Sequence, residues 1–173
     1  MNYFEFYNIP VSFFPDLAKI KQAYFQKSRE SHPDFFTNAT EEEQSNALQQ
    51  SSFNNTAYKI LSEFQSRFKY ILELENLIDT EQKEQMPPEF LMQMMDFNEE
   101  VMDLQIEFDR DKFVKLKLQL ETFQKSLEKS IQTLFEAYPQ INLEEKKELK
   151  HYYFKNKYVN RLLNNIMSLN QNS

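Results

Sequence analysis

The chain has 173 residues and a formal net charge of −7, with 17 Phe and 9 Tyr but no Gly, Cys or Trp. The lack of Gly argues against Asn-Gly hairpin turns, phosphate loops and dinucleotide-binding fingerprints, and the lack of Cys excludes disulfides, cysteine nucleophiles and cysteine-ligated metals. The acidic balance disfavours nucleic-acid binding. No apolar run approaches the length of a membrane span, so we expect a cytoplasmic protein that contacts no membrane. Because the motifs that need Gly or Cys are missing, we also expect that the protein is not an enzyme and has no cofactor or metal site.

The first 75 residues are predicted to form a helical N-terminal domain, because apolar residues recur at helical spacing between prolines. A short helix is expected around Tyr3–Asn8. A second helix begins at Pro15 and Asp16, and it must end at His32 because a residue before proline is pushed out of the α region. The predicted inward line of this second helix is Leu17, Ile20 and Tyr24.

A loop over Pro33–Ala39 is predicted to lead into a third helix that pairs with the second as a helical hairpin. Thr40 and Glu43 have the spacing of a capping box, in which each side chain accepts the other residue's backbone N–H. The predicted inward residues of the third helix are Ala47, Leu48, Phe53, Ala57, Ile60 and Leu61. A fourth helix is predicted from the apolar line Leu61, Phe64, Phe68, Ile71 and Leu72.

Residues 76–87 lose the apolar period and end at two prolines, which predicts a linker between domains. Beyond it, amphipathic segments at about 88–108, 111–138 and 143–169 predict an antiparallel three-helix bundle over 88–173. Residues 88–109 contain seven acids and no base, whereas 112–130 contain five Lys and two Glu. We therefore expect the first two bundle helices to be neighbours. Asn142 and Glu145 predict a further capping box at the start of the last helix.

The triplet His32-Pro33-Asp34 ends the second helix and opens the loop. One interpretation is a helix stop, in which the macrodipole favours His32 and Asp34 forms an Asx turn. Another is a docking tip at the end of a rigid hairpin. A third makes His32 and Asp34 a hydrolytic dyad, but no nucleophile, oxyanion loop or metal set accompanies them.

With this triplet in this position, the N-terminal domain resembles a J-domain, the module by which DnaJ-type co-chaperones engage DnaK-type chaperones. Two further patterns are similar to those of the HscB branch of iron–sulfur co-chaperones: Asn55-x-Ala57-Tyr58-x-x-Leu61 and Arg67-x-x-Tyr70-Ile71-Leu72-x-Leu74. One more resembles the start of the HscB C-terminal domain: Pro88-Glu89-Phe90-Leu91-Met92-x-x-Met95-Asp96-x-x-Glu99-Glu100. The chain departs from HscB-like sequences at Ser31 and Phe35, where they often have an aromatic residue and Lys.

The resemblance implies a co-chaperone that stimulates the ATPase of a DnaK/HscA-type chaperone and delivers an IscU-type iron–sulfur scaffold protein to it. His32, Pro33 and Asp34 would engage the chaperone. A basic outward face of the second helix would approach the chaperone's acidic surface, and its cations are Lys19, Lys27 and Arg29. The alternatives are a general J-domain co-chaperone whose C-terminal bundle binds a different client, and a helical adaptor that acts on no chaperone.

A second surface is predicted on the helix that begins at Pro88. Its core stripe recurs at alternating spacings of 4 and 3 residues, through Phe90, Met94, Phe97, Val101, Leu104 and Phe108. A second apolar face with an acidic edge lies roughly 100–160° away and contains Leu91, Met95, Met102 and Ile106. Leu91 and Met102 could instead belong to the core of the bundle or to a contact between the domains.

On the last helix, the predicted inward line is Leu149, Tyr152, Val159, Leu163 and Ile166. Phe154 points roughly 150° away from this line, and an outward Phe indicates a contact with a partner. In HscB-like proteins the scaffold binds the first bundle helix and one aromatic residue of the last, and the resemblance places that patch at Leu91, Met92, Met95, Asp96, Glu99 and Phe154. His151 is assigned no role, because no second metal ligand lies at helical spacing from it.

Overall fold

A computed structural model describes residues 1–78 and 86–171 of the chain. Within those ranges the protein consists of helices and contains no strand, which confirms the predicted all-α class. The chain divides into two compact units, residues 1–76 and residues 77 onwards. Residues 79–85 of the predicted linker, and residues 172–173 of the predicted bundle, lie outside the described residues. None of the described helices is long and apolar enough to cross a bilayer.

The N-terminal unit contains four α-helices and one short 3-10 helix. They are α1 (Tyr3–Phe6), α2 (Leu17–Glu30), the 3-10 helix (Pro33–Phe36), α3 (Glu41–Ser62) and α4 (Phe64–Leu74). Asp16 is the N-cap of α2, because its carboxylate accepts the backbone N–H groups of Ala18 and Lys19. Helices α2 and α3 pack against each other as the predicted hairpin, and the 3-10 helix occupies the loop between them.

A buried amide joins three segments of this unit. Asn54 in α3 is almost fully buried, and its Nδ2 donates to the carbonyl oxygen of Tyr24 at 3.1 Å and to Oγ of Ser28 at 3.0 Å. The hydroxyl of Tyr7 donates to Oδ1 of Asn54 at 2.8 Å, and burial raises the pKa of this hydroxyl. A network whose polar groups are all paired in an apolar setting holds its members in one arrangement. It therefore fixes α2 against α3 and Tyr7 against both.

The prediction that Leu17 and Leu48 face the core is wrong. Leu17 is 51% exposed and Leu48 is 67% exposed. A helix buries only a stripe of its surface, and Leu48 is turned about 100° from the buried Ala47 that precedes it. Leu17 is the first residue of α2 and is turned about 60° from the fully buried Ile20. The inward stripe of α3 instead includes the polar Asn54.

The C-terminal unit is the predicted bundle of three helices. They are α5 (Pro88–Ile106), α6 (Arg110–Ala137) and α7 (Leu143–Gln171). The predicted capping box at the start of α7 is present, because Asn142 Oδ1 accepts the N–H of Glu145 at 3.0 Å and the Glu145 carboxylate accepts the N–H of Asn142 at 2.7 Å. Lys112 and Lys115 of α6 line one groove with acidic residues of α5, as expected for neighbours of opposite charge.

The core of this bundle follows the predicted stripe of α5 closely. Its buried residues are Phe90, Met94, Phe97, Val101 and Leu104, and Phe108 is partly buried just past the helix end. On α7, the predicted residues Leu149, Tyr152, Val159 and Ile166 are buried. Leu163 is only partly buried, and its neighbour Leu162 is fully buried in its place. The predicted inward line of α7 was thus correct except for this one-residue shift.

Two Asn residues adopt the left-handed backbone conformation that proteins usually give to Gly. Asn8 has a φ of 53° shortly after α1, and Asn76 has a φ of 56° shortly after α4. Asn tolerates this region better than most residues, because its short polar side chain can hydrogen-bond locally. The chain can therefore leave both helices by a tight turn without a Gly.

Arg67 stabilises the N-terminal unit at the end of α3 that lies far from the 3-10 helix. Its side chain is almost fully buried, its Nε donates to the carbonyl oxygen of Phe13 at 3.0 Å, and its guanidinium also donates to the carbonyl oxygen of Leu61. Burial lowers the pKa of Arg67, and the charge of Glu63 opposes that shift. This guanidinium therefore links the chain before α2 to the end of α3.

We predict that Arg67→Met lowers the free energy of unfolding, because it leaves the carbonyl oxygens of Phe13 and Leu61 without these donors. A buried polar group left unpaired costs about 1–3 kcal/mol, and urea unfolding followed by circular dichroism measures the loss. The control is Lys69→Met, which removes an exposed ion pair of 3.1 Å with Glu73 and should cost at most about 0.5 kcal/mol. Equal losses in the two variants would contradict the role given to Arg67.

Candidate functional site

The triplet His32-Pro33-Asp34 lies at the tip of the hairpin and is held by local hydrogen bonds. His32 is the N-cap of the 3-10 helix, and its Nδ1 accepts the backbone N–H of Asp34 at 3.3 Å. Its carbonyl oxygen accepts the N–H of Phe35 at 3.0 Å. The rings of His32 and Phe35 meet edge to face, with centroids 6.1 Å apart. The imidazole is therefore oriented by the loop that it caps.

Both polar side chains of the triplet are open to a partner. The side chain of His32 is 52% exposed and that of Asp34 is 84% exposed, with 3.6 Å between Nδ1 and Oδ2. An exposed tip gives no support to a hydrolytic dyad, which requires a nucleophile in a pocket. The nearby hydroxyl of Thr37 donates to the carbonyl oxygen of Asp34. The geometry is that of a projecting contact point.

The two residues that flank the triplet differ in burial. Ser31 is almost fully buried at the end of α2, and its Oγ donates to the carbonyl oxygen of Lys27 at 2.9 Å. Phe35 is largely exposed beside His32. The small hydroxyl of Ser31 therefore closes the last turn of α2, and the aromatic ring of Phe35 is exposed at the tip.

The basic face of α2 divides into exposed and packed cations. Lys19 and Arg29 are exposed, as predicted for an outward face. Lys27 is only half-exposed, and its Nζ lies 4.2 Å from the ring centroid of Phe6, a cation–π contact. Lys27 thus helps to hold α1 against α2, while Lys19 and Arg29 lie on the surface that continues to the tip.

The predicted capping box fixes the far side of the tip. The Glu43 carboxylate accepts the N–H of Thr40 at 2.9 Å, and Oγ1 of Thr40 accepts the N–H of Glu43 at 3.3 Å. The hydroxyl of Thr40 also donates to the Glu43 carboxylate at 2.9 Å, and the backbone and hydroxyl hydrogen bonds that Thr40 donates to this carboxylate lower the pKa of Glu43. The side chain of Gln44 also donates to the carbonyl oxygen of Ala39 at 3.1 Å. Helix α3 therefore begins at a defined point after the triplet.

The second predicted surface lies on α5 and is exposed along its apolar face. Met92 and Met95 are 67% and 69% exposed, and Leu91 is 42% exposed. Asp96 and Glu99 are also exposed. The alternative that Leu91 packs in the core of the bundle is thus not supported, because the core stripe of α5 is complete without it.

Phe154 was predicted to point outward, but it is only half-exposed. Its ring packs edge to face on the buried Tyr153, with centroids 5.2 Å apart. Its next neighbour Lys155 places Nζ 5.8 Å from the ring centroid of Phe90, so this part of α7 runs beside the first turn of α5. Phe154 therefore presents only part of its ring to solvent.

Several structural residues of the two sites were missed by the sequence interpretation. They are Asn54, which positions the hairpin, the buried Ser31 before the triplet, and the buried Tyr153 under Phe154. A polar residue at an inward helical position is the signal that could have found Asn54. Tyr153 gave no such signal, because it is adjacent to the inward Tyr152 and lies about 100° from it.

Known proteins resemble this chain in sequence. Residues 86–167 match a family described as the HSCB C-terminal oligomerisation domain. A co-chaperone protein HscB homolog of Psychromonas ingrahamii is 33% identical over 133 residues, which make up 76% of this chain and 78% of that protein. The chain belongs to the HscB co-chaperone family.

Two further similarities extend this finding. An HscB homolog of Pseudoalteromonas atlantica is 37% identical over 106 residues, so the alignment spans 61% of that relative's length, less than two thirds. The crystal structure of the human co-chaperone protein HscB matches with a TM-score of 0.77 and 26% identity, covering 96% of this chain and 81% of the human one. The resemblance to HscB is confirmed, and a general J-domain co-chaperone with an unrelated client is not favoured.

We predict that Thr40→Ala weakens the start of α3 in this HscB-family chain in a pH-dependent way. Because the pKa of Glu43 is lowered in the folded state, the stabilisation it provides is present above the unfolded pKa of about 4.3 and is lost as pH falls through the folded value. The thermal midpoint of Thr40→Ala should therefore lie below that of the unmodified protein at neutral pH, and the difference should shrink on acidification. A difference that grows at low pH would contradict this assignment, and differential scanning calorimetry measures it.

Proposed function

We propose that this protein stimulates the ATPase of a DnaK/HscA-type chaperone and delivers an IscU-type iron–sulfur scaffold protein to it. The N-terminal unit would act as the J-domain and the C-terminal unit as the scaffold-binding bundle. The observation that carries the proposal is the triplet His32-Pro33-Asp34 at the end of the hairpin, where the side chains of His32 and Asp34 are exposed. The two helices of the hairpin are joined by hydrogen bonds of the buried Asn54. Membership of the HscB family supports both roles.

The chaperone contact is proposed to combine the tip with the basic surface of α2. His32 and Asp34 offer an imidazole and a carboxylate in a fixed mutual position. Lys19 and Arg29 add positive charge on the adjoining helix, which would steer the tip toward an acidic surface. Lys27 is proposed to contribute mainly by holding α1 in place, since its ammonium group already contacts Phe6.

The scaffold contact is proposed to use the patch Leu91, Met92, Met95, Asp96, Glu99 and Phe154. Flexible thioether side chains adapt to the surface of a partner, and Met92 and Met95 are among the most exposed apolar side chains of α5. Complete burial of such a side chain is worth about 1.5–3 kcal/mol. A few such anchors would give a micromolar complex after the entropy of association is subtracted.

The protein itself is proposed to contribute binding and no chemistry. ATP would be hydrolysed by the chaperone, and the cluster would be ligated by the scaffold, because this chain contains no Cys. Simultaneous binding of both partners would place the scaffold beside the chaperone when ATP is hydrolysed. Acceleration by this protein and the scaffold together should therefore exceed the acceleration that either produces alone.

We predict that His32→Gln abolishes stimulation of the chaperone's single-turnover ATP hydrolysis and leaves scaffold binding unchanged. The thermal midpoint should also be retained, because the side chain projects from the tip and contributes little to the core. The control is the same change at the second histidine, His151→Gln, in the C-terminal unit, which should retain stimulation. Retained stimulation by His32→Gln, or equal losses in both variants, would refute the role of the tip.

We predict that the combined variant Leu91→Ala, Met95→Ala and Phe154→Ala weakens scaffold binding by more than about tenfold. Its stimulation of the chaperone without scaffold should be retained. Because Phe154 packs on Tyr153, the double variant Leu91→Ala and Met95→Ala is measured beside it and should still bind more weakly than the unmodified protein. Titration calorimetry gives the affinities.

The matched control for this patch is Val114→Ala with Leu118→Ala, since both residues are exposed apolar side chains on α6 of the same bundle. This control should bind the scaffold normally. Unchanged affinity in the Leu91 and Met95 variant would remove the proposed patch.

A further inference from the structure

The sulfur atoms of this chain are concentrated in one helix. The chain contains seven Met and no Cys, so every sulfur atom belongs to a thioether. Four of the seven Met lie in α5, which is only 19 residues long, and they are Met92, Met94, Met95 and Met102. Oxidants convert Met to its sulfoxide, and this chain has no thiol that could react first. Helix α5 therefore carries more than half of the oxidisable sulfur of the chain.

Burial divides these four side chains into accessible and protected ones. Met92 and Met95 are 67% and 69% exposed and belong to the proposed scaffold patch. Met102 is 60% exposed, so it is not a core residue, and it lies outside the patch, about 10 Å beyond Met95 along the helix. Met94 is 1% exposed and lies in the core of the bundle. Because an oxidant must reach the sulfur atom, it would attack the first three and not Met94.

The reaction at each accessible thioether is the transfer of one oxygen atom. Hydrogen peroxide gives an oxygen atom to Sδ of Met, so that the O–O bond breaks, an S–O bond forms, the sulfur loses two electrons and the peroxide is reduced to water. The flexible apolar side chain thereby becomes a polar sulfoxide. No formal charge changes, so the acidic residues of α5 and the neighbouring Lys112 and Lys115 of α6 keep their charges.

We infer that Met92 and Met95 form an oxidation site at which peroxide lowers the affinity of this protein for the scaffold. The inference rests on the proposed function, in which the scaffold covers both thioethers. A sulfoxide oxygen in an apolar contact loses its water, and a buried polar group without a hydrogen-bond donor is destabilising. Methionine sulfoxide reductases return the thioethers, so the change is reversible. Both residues lie outside the N-terminal unit, so stimulation of the chaperone without scaffold would persist.

The test is treatment of the folded full chain with hydrogen peroxide, followed by peptide mass spectrometry and by titration with an IscU-type scaffold. Met92, Met95 and Met102 should each gain one oxygen atom, whereas Met94 should gain none. Affinity for the scaffold should fall by about tenfold, which corresponds to about 1.4 kcal/mol. Chaperone stimulation measured without scaffold should not change. The two methionine sulfoxide reductases, one for each sulfoxide epimer, should restore the affinity.

Two variants identify the sulfur atoms that are responsible. Met92→Leu with Met95→Leu keeps the apolar volume, so it should bind the scaffold nearly as tightly as the unmodified protein and should lose no affinity on peroxide treatment. The matched control is Met102→Leu, which removes a similarly exposed thioether of the same helix and should remain as sensitive to peroxide as the unmodified protein. Undiminished sensitivity in the double variant, or protection by Met102→Leu, would overturn the inference.

Further outcomes separate this inference from the function on which it rests. Bound scaffold should slow the oxidation of Met92 and Met95 more than that of Met102, because only the first two lie in the proposed patch, and absence of this protection would overturn the inference. If the oxidised protein binds the scaffold normally while Leu91→Ala with Met95→Ala binds weakly, the oxidation site is wrong and the proposed function stands. If that alanine variant also binds normally, the scaffold patch and the oxidation site are both wrong.

Discussion

The buried amide of Asn54 is the interaction on which the proposed chaperone site depends. It donates to the Tyr24 carbonyl and the Ser28 hydroxyl of α2 and accepts from the Tyr7 hydroxyl. Moving α3 along α2 by one residue would break these bonds and leave a buried amide unpaired, which is costly in an apolar setting. The hairpin therefore has one register. Since His32 follows Ser28 by one helical turn, that register also determines where the triplet projects.

The two ends of α3 are held by different kinds of interaction. At its last turn, Arg67 joins the end of the helix to Phe13 through buried hydrogen bonds. At its first turn, the exposed capping box of Thr40 and Glu43 holds the helix start through local hydrogen bonds. The frame of the N-terminal unit thus depends on buried contacts between residues far apart in the sequence, while the tip is shaped by contacts between near neighbours. This arrangement leaves the functional side chains exposed without loosening the frame beneath them.

Local rules predicted much of the fold and part of the candidate site. The capping boxes at Thr40 and Asn142 and the core stripe of α5 follow from short patterns, because each depends on residues within a few positions of one another. Asn54 and Arg67 could not be assigned in this way, since Asn54 donates to Tyr24 and Ser28 and Arg67 donates to Phe13, all of which are distant in the sequence. Leu48 was misplaced because an apolar side chain does not reveal which side of its helix faces a neighbour. Phe154 was predicted to point outward and is half-exposed, because its packing on Tyr153 depends on rotamers that periodicity does not describe.

The left-handed turns at Asn8 and Asn76 show how a chain without Gly completes its fold, and they bear on the unfolded state as well. Average usage would place about 12 Gly in a chain of this length. Every Gly replaced by another residue narrows the range of backbone conformations open to the unfolded chain. Each replacement lowers the conformational-entropy cost of folding by about 0.5–1 kcal/mol. A chain that loses less conformational entropy on folding can fold with less buried apolar surface. Such a chain can keep side chains like Met92, Met95 and Ile106 in water and still hold its helices together.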